Sequence, residues 1–257
     1  YSIFLFFISL ISLFLVPFIG VEVKGSKRWI DLFFLPRFQP IEVLKPFLII
    51  ILATILCDIR SNILFKYLIS IILISIISLL LIAQPDIGQT LLVVFCWAVL
   101  IFTSGINIYI LLAIFIAGAS LLAYLIIFVP KFDYIQGRIF SFFNRETGTH
   151  NFQSDKAIES ITSGGFFGKG IGEGVLKNRV PEAHTDYIIS VISEEFGVVA
   201  IMLILLLFLI LIYMVFKKIS FETNDKVKLI LIGSISLILM QATIHIGVNI
   251  RLFPTTG

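Results

Sequence analysis

The chain has 257 residues, a hydrophobic fraction of 59%, a mean hydropathy of +1.09 and a net charge of only +3. A hydrophobic fraction this high argues against a soluble globular protein and is typical of one that crosses a membrane several times. The Lys and Arg residues are scattered and form no basic run, so no nucleic-acid partner is expected.

Seven apolar stretches are long enough, or nearly long enough, to cross a bilayer, which needs about 20 mostly apolar residues per helix. Two connections, 84–86 and 104–106, are so short that the helices on either side must be antiparallel neighbours. We therefore predict an all-α fold, a polytopic transmembrane helix bundle that forms a single domain over 1–257. Because the chain begins inside an apolar run without Met or a signal peptide, we expect a fragment of a longer protein. The stretches are residues 1–20, 41–57, 64–83, 87–104, 107–129, 186–216 and 227–249.

One long connection, 130–185, holds most of the polar residues and many glycines. A connection longer than about 15 residues is usually functional or disordered. Interleaved phenylalanines argue against disorder and predict a loop that packs on the surface of the bundle. The short loops on the same side of the membrane as 130–185 carry fewer basic residues than those on the other side. The positive-inside rule therefore places 130–185 outside the cytoplasm. Counting the basic residues of 130–185 itself would reverse this result. Its phenylalanines are Phe140, Phe142, Phe143, Phe152, Phe166 and Phe167.

The helix that follows this loop has a polar stripe at its start. Asp186, Ser190, Ser193 and Gly197 recur at i, i+4, i+7 and i+11, so they share one face, which must meet a wet cavity or other protein. Thr185 or Asp186 could cap the helix, and Asp186 suits the positive helix end. The pattern therefore leaves Asp186 open between a cap and a functional carboxylate. The opposite face would carry Tyr187, Ile188, Val191 and Ile192.

The stretch FQPIEVLKP, 38–46, predicts a helix start with an ion pair. Pro40 suits the first helical turn, and Glu42 and Lys45 are spaced i, i+3 so that they can pair. The apolar run after Lys45 is too short to span a bilayer, so a spanning helix must draw the pair into its outer half. An ionisable pair there is either functional or a structural tie between helices, and the sequence leaves both open.

Two further connections bring polar groups to the membrane surface that carries Asp186. The stretch AQPDIGQT, 83–90, has the composition of an ordinary turn. It nevertheless places three polar side chains at that surface. The connection KGSKRWIDLFFLPRF, 24–38, adds two cations, which either bind lipid phosphate or are only solvated. The side chains in question are Gln84, Asp86, Gln89, Lys27 and Arg28.

Several common catalytic patterns are absent from the sequence. The run GGFFGKGIGEG, 164–174, is not a phosphate-binding P-loop, because Lys169 is followed by glycine and no strand precedes it. Its glycines instead permit tight turns and a close approach of the backbone to a long substrate. The chain has no HExxH motif, no CxxC pair and no GxSxG elbow, which argues against zinc hydrolysis and a serine nucleophile.

Six motifs, taken in order, resemble the SEDS family of bacterial polytopic proteins, which includes FtsW and RodA. They are KGSKRWI, FQPIEVLKP, AQPDIGQTLLV, NFQSDKAIESITSGGFFGKGIGEG, PEAHTDYIISVISEEFG and GVNIRLFPTTG, and they cover nearly the whole chain. The GIGEG run followed by PEAHTDY is more similar to FtsW than to RodA. Family members have ten transmembrane helices, so the resemblance implies that this chain supplies the third to the ninth and that 130–185 is periplasmic.

The resemblance implies an inverting peptidoglycan glycosyltransferase that polymerises lipid II at the outer face of the cytoplasmic membrane during cell division. Asp186 matches the essential aspartate of the family, which accepts the proton of the attacking sugar hydroxyl while undecaprenyl pyrophosphate leaves. Glu42 and Lys45 match a charged pair that lines the central cavity, and Asp86 belongs to the QPD motif. The implied substrate-binding residues are Lys27, Arg28, Glu42, Lys45, Gln84, Asp86, Gln89, Arg138, Lys169, Arg179, Glu182, His184 and Thr185.

The resemblance also implies partners and a location. Expected partners are lipid II, the undecaprenyl-pyrophosphate-linked glycan, a class B penicillin-binding protein of the FtsI type and other divisome proteins, in the bacterial inner membrane at the septum. A divalent cation, Mg²⁺ or Mn²⁺, is a suggestion from the family, since the sequence shows no dedicated metal site. The alternatives are a lipid II flippase or other transporter, a RodA-type elongation polymerase and a division scaffold. A carrier should hold its carboxylates near mid-membrane, whereas these cluster at one surface.

Overall fold

The structure, a computed structural model of the chain, describes residues 1–23, 26–32, 35–58, 62–129, 132–133, 135–137, 149–174 and 187–253. Seven apolar helices coincide with the seven predicted stretches, which confirms the helical class and the number of apolar helices within the described residues. Five of them are long and apolar enough to cross a membrane, whereas α2 and α4 have 17 residues each. The seven are α1 (Ser2–Ile19), α2 (Pro40–Leu56), α3 (Ile63–Ala83), α4 (Ile87–Thr103), α5 (Ile108–Phe128), α7 (Ile188–Phe221) and α8 (Asp225–Asn249).

The described residues divide into two compact units. The first comprises Tyr1–Leu111 and Val215–Met240, so it holds α1 to α4 and parts of α7 and α8. The second comprises Leu112–Met214 and 241–253, and it holds most of α5, the described part of the long connection, most of α7 and the end of α8.

A small antiparallel sheet, which the sequence did not predict, lies between α1 and α2. Its strands are β1 (Val21–Val23), β2 (Ser26–Leu32) and β3 (Leu35–Phe38), in the order β1-β2-β3. The segment is short and its apolar residues follow no clean alternation, so the period of two that marks a strand is hard to see in it. In the sheet, Trp29 lies opposite Val21 and Phe38 lies opposite Ile30.

Two helices of the first unit begin at the turns that sequence analysis singled out. Pro40 occupies the first turn of α2, as predicted, where a missing backbone N–H costs nothing. Asp86 is the N-cap of α4, and its carboxylate accepts a hydrogen bond from the backbone N–H of Gln89 at 3.3 Å. Apolar side chains of α1, α2 and α4 bury the space between these helices, among them Leu13, Val16, Ile41, Leu44, Leu52 and Leu100.

The second unit contains a helix that the sequence did not predict. This helix, α6 (Thr149–Gly164), lies within the connection that was expected to be a large loop. It is polar along most of its length, so it gave no membrane-span signal. Small residues at Ala157, Ser160 and Gly164 nevertheless mark one face at helical spacing.

The apolar stretch 186–216 was predicted as one continuous helix, and the structure corrects this. Gly197 has φ 74° and ψ −174°, which breaks α7 into a short first segment and a long second one. A break leaves backbone groups without partners inside the helix. The residues that supply those partners belong to the run 164–174, which we call the glycine loop.

The glycine loop hydrogen-bonds to both sides of the break. The carbonyl oxygens of Glu194 and Glu195 accept from the backbone N–H groups of Lys169 and Gly170, at 2.9 and 3.0 Å. On the other side, the N–H groups of Val198 and Val199 donate to the carbonyl oxygens of Gly165 and Phe166, at 3.0 and 3.2 Å. The break is therefore a stable feature, since its exposed backbone groups are paired.

Close contact at the break needs glycine on both sides. A Cβ on Gly197 would lie 2.2 Å from the carbonyl oxygen of Phe166, and a Cβ on Gly168 would lie 2.1 Å from that of Glu195. Both residues also have positive φ, which favours glycine. The close approach seen here is to the protein's own backbone, and the expected approach to a long substrate stays a prediction.

We expect Gly168→Ala to destabilise the protein more than Gly172→Ala. Both positions have positive φ, at 78° and 82°, so each alanine costs about 1–2 kcal/mol from backbone strain. Only Gly168 adds a steric clash, because nothing lies within 4 Å of a Cβ on Gly172. Thermal unfolding of the detergent-solubilised variants measures the difference, and equal losses at the two positions would contradict the close approach seen at Gly168.

Candidate functional site

The first group of predicted site residues centres on Asp86, which is only 4% exposed. Its carboxylate accepts a hydrogen bond from the side-chain amide of Gln39 at 2.9 Å and lies 3.8 Å from the guanidinium of Arg28. Arg28 also donates to the carbonyl oxygens of Gln84 and Pro85. The structure thus joins the sheet, the start of α2 and the start of α4 through one buried carboxylate.

The environment of Asp86 changes its acidity. Burial raises the pKa of Asp86 above its usual value of 3.8, because a charged carboxylate is poorly solvated there. The guanidinium of Arg28 and the hydrogen bonds from Gln89 and Gln39 oppose this rise in pKa. The sequence placed Arg28 and Asp86 at the same surface but did not indicate that they pair, and it missed Gln39 altogether.

The predicted ion pair between Glu42 and Lys45 is confirmed, with Lys45 Nζ 2.6 Å from Glu42 Oε2. Gln89 bridges the pair, because its Oε1 accepts from Lys45 Nζ at 3.1 Å and its Nε2 donates to Glu42 Oε1 at 2.8 Å. The side chain of Lys45 is 2% exposed and that of Glu42 is 42% exposed. The group therefore presents a carboxylate to its surroundings and keeps the ammonium inside.

The other two predicted residues of the first unit differ in their surroundings. Gln84 is 4% exposed, and its side-chain amide donates to the carbonyl oxygen of Leu13 at 2.9 Å. This contact ties the end of α3 to α1. Lys27 lies on β2 and is exposed.

In the second unit, the start of α7 is held by side chains from α6 and α8. Tyr187 is 2% exposed and packs with Ala157 and Val248. The side-chain oxygen of Asn249 accepts a hydrogen bond from the backbone N–H of Ser190 at 3.1 Å, which satisfies a donor in the first turn of the helix. Val191 packs against the same residues, so Tyr187 and Val191 share one side of the helix, as the spacing indicated.

The polar stripe of α7 meets protein, one of the two alternatives that its pattern allowed. Ser190 and Ser193 are 0% and 1% exposed, and Ser160 and Gly164 of α6 lie against them. A Cβ on Gly164 would lie 1.9 Å from the carbonyl oxygen of Ser193. The matching face of small residues on α6 was the signal in the sequence that could have predicted this close packing.

A fully buried carboxylate, Glu194, lies within this contact. Its Oε2 accepts from Ser160 Oγ at 3.0 Å, and its Oε1 lies 3.3 Å from Lys169 Nζ. Sequence analysis did not single out Ser160 and assigned Lys169 to substrate binding. The structure shows that Lys169 contributes to the packing of the glycine loop against α7, and its role toward a substrate stays a prediction.

Six predicted site residues lie outside the described part of the chain. Among them is the candidate catalytic residue Asp186, which directly precedes the buried Tyr187. Their roles stay predictions. The six are Arg138, Arg179, Glu182, His184, Thr185 and Asp186.

The described residues do not fit a metal site. Within the ranges that the structure describes, no group of three or more His, Cys, Asp or Glu side chains comes together in a way that could hold an ion. We therefore derive no chemical step through a divalent cation.

Comparison with known proteins identifies the family. The family model for FtsW, RodA and SpoVE, described as cell cycle protein, matches residues 1–257. The chain belongs to this family. Family membership is consistent with the observed bundle and establishes a multi-pass membrane protein.

Several relatives and solved structures resemble the chain along its length. It is 32% identical to the probable peptidoglycan glycosyltransferase FtsW of Caulobacter vibrioides, over 94% of this chain and 61% of that protein. It is 34% identical to the Francisella salina protein of the same name, over 98% of this chain and 64% of that one. This chain therefore spans less than two thirds of the length of these relatives.

Two solved structures share the fold. A peptidoglycan synthase complex described as coordinating polymerization and crosslinking matches with a TM-score of 0.81 and 28% identity, over all of this chain and 72% of that one. The rod shape determining protein RodA of Thermus thermophilus matches with a TM-score of 0.67 and 27% identity, over all of this chain and 68% of that one.

We expect the stability of the Asp86→Asn variant to differ from wild type in a pH-dependent way. Since folding raises the pKa of Asp86, its contribution to stability is present below pH 3.8 and is lost as pH rises through the folded pKa. Wild type should therefore lose melting temperature relative to Asp86→Asn as the pH rises above about 4. Asp31→Asn, which removes an exposed carboxylate, is the control. A wild-type advantage that grows with pH would contradict the burial effect.

Ser160→Ala should destabilise the second unit by about 1.5–3 kcal/mol, the usual worth of a hydrogen bond to a charged group. The substitution removes the hydroxyl that donates to the buried Glu194 carboxylate. Ser163→Ala is the matched control, because that hydroxyl bonds only to the carbonyl oxygen of Ser160 in its own helix, and its effect should stay within about 0.5 kcal/mol. Denaturation in detergent gives both values, and similar small losses would show that Ser160 does not support Glu194.

Proposed function

We propose that the protein is a peptidoglycan glycosyltransferase that polymerises lipid II into glycan strands, with Asp186 as general base. The observation that supports this proposal is the fixed start of α7, the helix that directly follows Asp186. The backbone N–H of Ser190 is bonded to Asn249, and Tyr187 is buried between α6 and α8. A rigid support of this kind is what a catalytic carboxylate needs for proximity and orientation.

The position of Asp186 along the chain suits a substrate with a lipid tail. The uninterrupted apolar segment of α7 begins at Val198, 12 residues after Asp186. In our proposal the Asp186 carboxylate lies in water near the membrane surface. A headgroup can meet it there while the polyprenyl tail stays in the bilayer.

The chemistry requires a base and an oriented acceptor. The Asp186 carboxylate accepts the proton of the sugar 4-hydroxyl of one lipid II. The freed oxygen attacks the anomeric carbon of the lipid-linked strand, the bond from that carbon to the diphosphate oxygen breaks, and undecaprenyl pyrophosphate leaves with inversion. The carboxylate can take this proton in a concerted step.

Similarity to the named relatives supports the reaction class, and similarity to the peptidoglycan synthase complex supports a transpeptidase partner. In our proposal the partner is a class B penicillin-binding protein of the FtsI type, and the site of action is the division septum. The candidates for binding the departing diphosphate remain the cations Lys27, Arg28, Arg138, Lys169 and Arg179. A divalent cation also remains a proposal.

The test is glycan polymerisation from purified lipid II by the full-length protein with its partner. We expect Asp186→Asn to lose polymer formation by several orders of magnitude while lipid II binding is retained, because the amide keeps the shape but cannot accept the proton. Asp225→Asn is the control, since that carboxylate is exposed at the start of α8. Polymer yield on gels and binding to labelled lipid II are the two measurements.

Two outcomes would contradict the proposal. Full polymerisation by Asp186→Asn would remove the general-base role. Transfer of lipid II across vesicle membranes by wild type and by Asp186→Asn alike, without polymer from either, would instead support the flippase alternative.

A further inference from the structure

The glycine loop carries three large apolar side chains that neither its packing nor the proposed chemistry uses. Phe166, Phe167 and Ile171 are 75%, 85% and 79% exposed. The prediction that the phenylalanines of this connection pack on the bundle was wrong for Phe166 and Phe167. An exposed apolar cluster of this size marks a surface that contacts another apolar phase.

The hydrogen bonds at the break of α7 indicate the depth of these side chains relative to the boundary between water and lipid. From Val198 to Phe216 the second segment of α7 has 19 residues without a charge, and Lys217 follows. This segment is roughly 28 Å long, which is just the thickness of the hydrocarbon core. Val198 must therefore lie close to the boundary between water and lipid. Phe166 lies at the same level, because its carbonyl oxygen accepts from the N–H of Val199.

The backbone of the glycine loop is suited to that level. Non-helical backbone is costly in lipid unless its polar groups are paired. Here the N–H groups of Gly168, Lys169 and Gly170 donate to carbonyl oxygens, and that of Gly172 donates to the carboxylate of Glu195. These four donors are already paired within the protein, so the side chains can enter an apolar phase without exposing them.

The charges of the loop are arranged for shallow entry. The ammonium group of Lys169 lies 3.3 Å from the buried Glu194 carboxylate, so its charge is paired within the protein. Glu173 is exposed and follows the last of them by two residues. A carboxylate so close to Ile171 can remain among the headgroups while the apolar side chain points into lipid, which limits the depth of entry.

We propose that the glycine loop inserts Phe166, Phe167 and Ile171 into the outer part of the phospholipid leaflet. The surface is continuous with lipid-facing residues of α7, since Val198, Val199 and Met202 are 41%, 50% and 62% exposed on the adjoining segment. The loop thereby holds the break of α7 at the membrane surface. This inference does not depend on the proposed polymerase activity.

The test uses nitroxide labels on the full-length protein in vesicles of phosphatidylethanolamine and phosphatidylglycerol, without polyprenyl lipid or partner protein. In a background in which Cys57 and Cys96 are replaced, single cysteines are introduced by Phe167→Cys and Ile171→Cys. Met202→Cys provides the lipid reference and Asp225→Cys, whose native side chain is 82% exposed, provides the water reference. Collision with oxygen, which concentrates in lipid, is compared with collision with a water-soluble nickel chelate.

We expect the ratio of oxygen to nickel accessibility at 167 and 171 to approach that at 202 and to exceed that at 225 severalfold. A ratio equal to that at 225 would place the loop in water and overturn the proposal. Low accessibility to both reagents would show that a second copy or another part of the protein covers the loop, and this also overturns it. Both native side chains are exposed, so each label tests the proposal independently if the other variant does not fold.

Discussion

The pairing of backbone groups at the break of α7 is the constraint on which the second unit depends. A helix that stops and restarts next to lipid must find hydrogen-bond partners in protein, since lipid offers none. The glycine loop supplies carbonyl oxygens to one side of the break and N–H groups to the other. The loop can approach so closely only because Gly164, Gly168 and Gly197 lack a side chain at the points of contact. The helix start that would carry the catalytic carboxylate inherits its fixed position from this arrangement.

The first unit meets a related constraint with side chains. Ionisable groups near lipid must be paired, and here Asp86, Glu42 and Lys45 each have a partner from another element or the next helical turn. Asp86 joins the sheet to the starts of α2 and α4 through Arg28 and Gln39, while Gln89 connects α4 to the pair formed by Glu42 and Lys45. The predicted substrate-binding residues of this unit are therefore also its structural ties. A variant at any of them needs a stability measurement beside an activity measurement.

Sequence analysis predicted the apolar helices and the local pair of Glu42 and Lys45, because hydropathy and helical spacing are properties of short segments. It did not predict the sheet at Trp29 or the polar helix α6, whose patterns are weak and which tertiary contacts stabilise. It also missed the break at Gly197, since one glycine in a long apolar run is usually tolerated within a helix. Pairs such as Arg28 with Asp86, or Ser160 with Glu194, join residues distant in sequence, and no local spacing encodes them. Asp186 came from the resemblance of motifs, and its surroundings lie outside the described residues.

The two segments that pair at the break of α7 are synthesised one after the other. The ribosome makes the glycine loop, including Gly165 and Phe166, before it makes Val198 and Val199, to which these carbonyl oxygens bond. A continuous helix satisfies its own backbone, whereas the broken helix requires the loop to be in place. The break at Gly197 can therefore form only after both segments have been made.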